Sequence, residues 1–105
     1  MQLTDQQVST FDENGYLIFR NLFSDLEIEI LQQEAGRIAE LRTECVIREG
    51  ESGVPKIMFR MHETDGPTGS AAYNAASRLP KVLGAARQVL RDEKLYIHHS
   101  KLNIK

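Results

Sequence analysis

Three histidines, one cysteine and a short polar line near the carboxyl end are the residues here whose types could do chemistry. An iron site of two histidines and one carboxylate needs ligands that converge on one point. A strand meets that need with H-x-D or H-x-E plus a distant histidine. The candidates are His62, His98 and His99, and none is followed at that spacing by Asp or Glu. His98 and His99 are neighbours, so on a strand their side chains leave opposite faces and cannot share a metal. His62 and Asp65 stand beside a Gly-Pro loop and read as a coincidental pair. Cys45 lies in an apolar run and reads as a small packing side chain. No serine has a G-x-S-x-G context, and Walker A, G-x-G-x-x-G and zinc-finger spacings are all missing. The expectation is that these residues hold no complete metal site and no catalytic residue.

The polar line is the exception. Residues 94–105 alternate along their whole length and predict one long strand. One face carries Leu95, Ile97, His99, Lys101, Asn103 and Lys105. Lysine is a point charge suited to a carboxylate, and asparagine can donate and accept beside it. The line fits the inner wall of a barrel holding a small anionic ligand, and it fits a solvated edge face equally well.

The elements that position these residues start from capping signals. Thr4 with Gln7 forms a capping box, Leu3 and Val8 are placed for a hydrophobic staple, and Gly15 is a natural helix stop. Tyr16, Leu17, Ile18 and Phe19 predict a short strand. Ser24 with Glu27 opens a second helix, whose Ile28, Leu31, Ala35 and Ile38 form one apolar stripe. Residues 45–47 and 56–59 flank a Gly-Glu-Ser-Gly-Val-Pro turn and predict a hairpin with a loose, mobile loop. Residues 63–70 are loop by composition, helix resumes at Ala71, and Pro80 starts a fresh helix after a break at Leu79.

With 105 residues the chain is long enough for one small domain. Its 41% hydrophobic and 27% charged residues are ordinary globular values and argue against disorder. A net charge of −2 gives no general pull toward nucleic acid or anionic membrane. No stretch approaches the length of a membrane span, and the lone Cys45 sets a cytoplasmic (cytosolic) location as the default. The last strand ends without a turn signal, and its backbone groups need neighbours. The expectation is a truncated piece of a longer protein.

The opening Leu3-Thr4-Asp5-Gln6-Gln7-Val8, then residues 11–18 and Leu22-Phe23-Ser24, resembles the amino-terminal signature of the phytanoyl-CoA dioxygenase family. The end, residues 95–105, resembles the strand that precedes the iron-binding motif in that family's small-molecule members. The ectoine hydroxylases and free amino acid hydroxylases are the branch it is most similar to. The resemblance implies an α+β fold: the amino-terminal portion of a double-stranded β-helix (jelly-roll, cupin-like) oxygenase with helices packed outside the sheet. Residues 1–105 would then be part of one domain that stops before its iron-binding motif.

The resemblance also implies Fe(II) and 2-oxoglutarate as cofactor and cosubstrate, with molecular oxygen and a small molecule, an amino acid or derivative, as reactants. Asn103 matches the family's asparagine near 2-oxoglutarate. Lys101 takes a position, often arginine, that faces cosubstrate and substrate. His99 stands where ectoine hydroxylases place a substrate-side glutamine, a departure that puts ectoine itself in doubt. A 2-oxoglutarate-dependent halogenase and a non-catalytic scaffold or binding domain are the alternatives, and the residues that separate them would lie beyond Lys105.

Overall fold

The computed structural model describes residues 2–104. Two helices open the chain, and both begin as their sequences dictate. In α1 (Asp5–Asn14) the Thr4 hydroxyl accepts from the Gln7 N–H at 3.1 Å, and the Thr4 N–H donates to Gln7 Oε1 at 2.9 Å. Gly15 ends this helix at φ +82°, a left-handed conformation that glycine adopts without steric cost. In α2 (Asp25–Ala39) Ser24 and Glu27 form the same reciprocal pair.

A hairpin follows, of β1 (Val46–Arg48) and β2 (Pro55–Phe59), with Val46 opposite Met58. Its turn is knit together rather than loose. Glu49 accepts from the Ser52 N–H, its own N–H donates to the Val54 carbonyl, and Gly53 takes φ +72°. Two further helices, α3 (Ala71–Ser77) and α4 (Pro80–Leu90), are divided at Leu79, with Pro80 opening the second. The final strand, β3 (Lys101–Asn103), pairs antiparallel with β2 and completes a three-stranded sheet of order β1-β2-β3.

The core forms where the sheet meets α2. Ile38, Val46, Met58 and Met61 are buried together, and Ala35, Ala39, Leu41, Tyr73 and Leu102 pack against them. The alternation of the strands then sends Ile47, Ile57 and Phe59 to the other face, with Lys101 opposite Phe59 and Asn103 opposite Ile57. Only the carboxyl half of the predicted α2 stripe is deeply covered: Ile38 is inaccessible, whereas Ile28 is 40% exposed.

Two predicted strands are corrected. Residues 16–19 form no strand and pair with none among the described residues. They do alternate, since Leu17 and Phe19 line a hollow against α4 while Tyr16 and Ile18 stay exposed. The long strand over residues 94–105 shrinks to three paired residues. Its partner β2 gives way at Arg60, which takes φ +66° and turns the chain aside. Residues 94–100 therefore have no β2 backbone beside them, and Ser100 is tied to Arg60, just past the end of β2. Lys105, the last residue of that predicted strand, lies outside the described residues.

Candidate functional site

The sequence-predicted residues fall in two places. Lys101 and Asn103 are exposed side by side on the sheet face away from α2, about 7 Å apart along the strand. They set a cation and an amide beside Ile57 and Phe59 on the neighbouring strand, a donor set suited to a carboxylate group. His99 precedes the paired segment and lines a cavity of about 640 Å³ that Lys101 and Asn103 do not line. The structure thus brings Lys101 and Asn103 together and sets His99 apart from them.

That cavity opens between α2, α3, α4 and the segment leading into β3. Its walls are mainly apolar, from Phe19, Leu22, Phe23, Leu31, Val82 and Ile97. Polar groups enter at one side. His62 Nδ1 lies 2.7 Å from Ser100 Oγ, and Asn74 Nδ2 donates to the His62 carbonyl at 3.0 Å. Tyr73 donates its hydroxyl proton to the Leu31 carbonyl at 2.9 Å, and burial pushes its pKa above the usual phenol value. Lys81 sits 5.0 Å over the Phe23 ring and pairs with Glu27. The Lys81 ammonium, with the Ser24 N–H, holds the Glu27 carboxyl below its usual range.

Sequence reasoning missed the His62–Ser100 contact, because nothing local marks a pair 38 residues apart. It also credited Glu27 with the helix cap alone, although the same carboxylate binds Lys81. The rings of His98 and His99 lie 5.1 Å apart and edge-on. The two rings are neighbours and not on opposite faces of a strand, and their segment is not paired as one. Cys45 is buried, with an Arg60 guanidinium nitrogen 4.0 Å from its sulfur. Among the described residues no group of three or more His, Cys, Asp or Glu side chains is placed to hold a metal ion. These residues do not fit an iron centre, and no chemical step follows from them through iron.

Comparison with known proteins gives this arrangement its context. The sheet and its helices superpose on a crystal structure of EctD from S. alaskensis with bound Fe, at a TM-score of 0.83 and 27% identity. The match covers 96% of this chain and 35% of that one, and it gives the chain a mixed α/β architecture like part of that jelly-roll fold. Among curated proteins the chain is 34% identical over 106 residues to an ectoine dioxygenase of Nocardia farcinica, covering 97% of this chain and 34% of that protein. It is also 34% identical over 107 residues to an ectoine dioxygenase of Bordetella bronchiseptica, covering 98% and 33%. No protein-family model matches the sequence. The chain is homologous to the ectoine dioxygenases, which bears out its resemblance to the phytanoyl-CoA dioxygenase family. It spans about a third of the length of the curated relatives it matches.

Proposed function

We propose that the protein bearing this chain is a non-haem Fe(II)- and 2-oxoglutarate-dependent dioxygenase that hydroxylates a small molecule, an amino acid or a derivative of one. The observation that carries this reading is the agreement of sequence and fold with the same enzymes, over nearly all of this chain. In this reading residues 1–105 are the amino-terminal part of one oxygenase domain, and the iron ligands come from residues beyond them. Lys101 meets a 2-oxoglutarate carboxylate as a point charge, Asn103 supplies a neutral donor beside it, and His99 and Lys101 face the substrate. The iron, when bound, supplies the activation of oxygen. What this chain's residues do is bind and orient.

No helix among the described residues is long and apolar enough to cross a membrane. A cytoplasmic location, reached from the single cysteine, belongs to the proposal.

The test is a coupled assay on the protein as its gene encodes it, supplied with Fe(II), 2-oxoglutarate and a panel of amino acids that includes ectoine. Substrate-dependent succinate, matched mole for mole by a hydroxylated product, is the expected result. A chlorinated product in the presence of chloride would replace hydroxylation by halogenation. Absence of 2-oxoglutarate consumption with every substrate and with none would overturn the oxygenase reading. The 105-residue chain by itself is expected to form no succinate.

A further inference from the structure

Backbone hydrogen bonds tie the end of the described chain to β2 and to Arg60 just after it, starting at Ser100. The Arg60 N–H donates to the Ser100 carbonyl at 3.3 Å, and the Ile104 N–H to the Lys56 carbonyl at 2.8 Å, with β3 between them. The first of these ties is reinforced at the Ser100 hydroxyl, which lies 2.7 Å from His62 Nδ1 and accepts from the His62 N–H at 3.5 Å, with both residues partly buried. His62 is itself held. Asn74 of α3 donates to its carbonyl, the Ser70 N–H donates to the neighbouring Met61 carbonyl at 2.9 Å, and Met61 is 2% exposed. The loop after β2 is therefore anchored to α3, and it grips the residue immediately ahead of Lys101.

We infer that His62 is a positioning residue for the 2-oxoglutarate face: through Ser100 it fixes where β3 begins and which side of the sheet Lys101 and Asn103 present. The inference rests on the oxygenase reading, which assigns those two residues to the cosubstrate. Register matters because side chains alternate. A slip of one residue would carry Lys101 and Asn103 to the helix-packed face that Leu102 now occupies. A strand of three residues specifies its register weakly by itself, and the three bonds to Ser100 supply what it lacks.

The experiment follows amide hydrogen exchange and 2-oxoglutarate binding together. It uses the protein as its gene encodes it, with Mn(II) replacing Fe(II) so that nothing turns over. The variants are H62A, S100A and H62N, the last because an asparagine amide reaches about where Nδ1 stands and keeps a partner for the serine. In H62A, which loses the ring bond and keeps the His62 N–H, exchange at the Arg60 amide should rise about five-fold, the effect of losing one neutral hydrogen bond, and in S100A, which loses both bonds to Oγ, it should rise at least as much. The Phe59 amide, which donates to the Cys45 carbonyl within the hairpin, should not change. Binding of 2-oxoglutarate should weaken by a similar factor, and H62N should restore both readings.

An Arg60 amide that exchanges in H62A as in the parent would overturn the inference. So would an H62N variant no better than H62A, or faster exchange with unchanged 2-oxoglutarate affinity. If the parent protein binds no 2-oxoglutarate, the oxygenase reading falls and the cosubstrate half of the inference falls with it. The exchange data then still decide whether His62 fixes the strand.

Discussion

Lys101 and Asn103 share the outward face of the sheet while their neighbour Leu102 reaches the core, so the chemistry of one short strand is sorted by alternation alone. Exposure makes Lys101 a poor contributor to stability, since a surface side chain without a buried partner can be removed at a cost within about 0.5 kcal/mol. It is a good candidate for ligand binding for the same reason. Replacing it by alanine should leave the melting temperature nearly unchanged and weaken 2-oxoglutarate binding about ten- to a hundred-fold, as the loss of a charge-assisted hydrogen bond predicts. Lys101→Arg should keep most of the affinity, because a guanidinium also grips a carboxylate. Titration of the two variants with 2-oxoglutarate decides the matter. Equal binding by Lys101→Ala and the parent would remove this residue from the site.

At the scale of elements, the helix starts were legible because their signals are local. Thr4 with Gln7 and Ser24 with Glu27 lie within one turn of the groups they satisfy, and Pro80 sets its own backbone angle. Strand extent was not legible, because pairing depends on a distant partner. Residues 94–100 alternate as well as any strand, yet β2 turns away at Arg60 and leaves them unpaired. Residues 16–19 fail for the same reason. Of the candidate site, the shared face of Lys101 and Asn103 was readable from spacing, whereas the cavity wall carrying His62 and His99 was not.

Ties between elements also depend on acid groups. Glu34 of α2 accepts from Arg37 at 2.6 Å and from Ser70, the cap of α3, at 2.7 Å, and Ser70 is 1% exposed. The Arg37 bond and then the Ser70 bond hold the Glu34 carboxyl below its ordinary value of 4.5. The folded state thus favours the ionised form. Its contribution is complete above 4.5 and is lost as pH falls through the lower folded value. Asp12 is lowered in the same direction by Arg91, which sits at the end of α4. Melting temperature should therefore hold steady above 4.5 and decline below it, and Glu34→Gln should melt lower at neutral pH with a shallower acid decline. An acid limb as steep in Glu34→Gln as in the parent would assign that decline to other groups.

The molecule as a whole exposes more surface than a chain of its size needs. Its accessible area is 7715 Å². A compact monomer of 11.9 kDa would expose about 6,000 Å². Its radius of gyration is 15.8 Å, against about 13 Å for a compact domain of this length. The excess is apolar in important places: Ile47 on the sheet face beside Ile57, Leu26 and Ile30 on α2, and Tyr96 at 86% exposure ahead of β3. Surface of this kind is built to be covered, which agrees with a chain that matches about a third of its relatives' length. Kept apart from such cover, the 105-residue chain should self-associate through it. Sedimentation velocity should then show species heavier than 11.9 kDa that grow with concentration, together with bound hydrophobic dye. A single monomer boundary at every concentration, with one cooperative unfolding transition, would mean that water suffices for that face. The homology would then record descent of a short binding or structural domain, and the search for function would move from oxygen chemistry to partners.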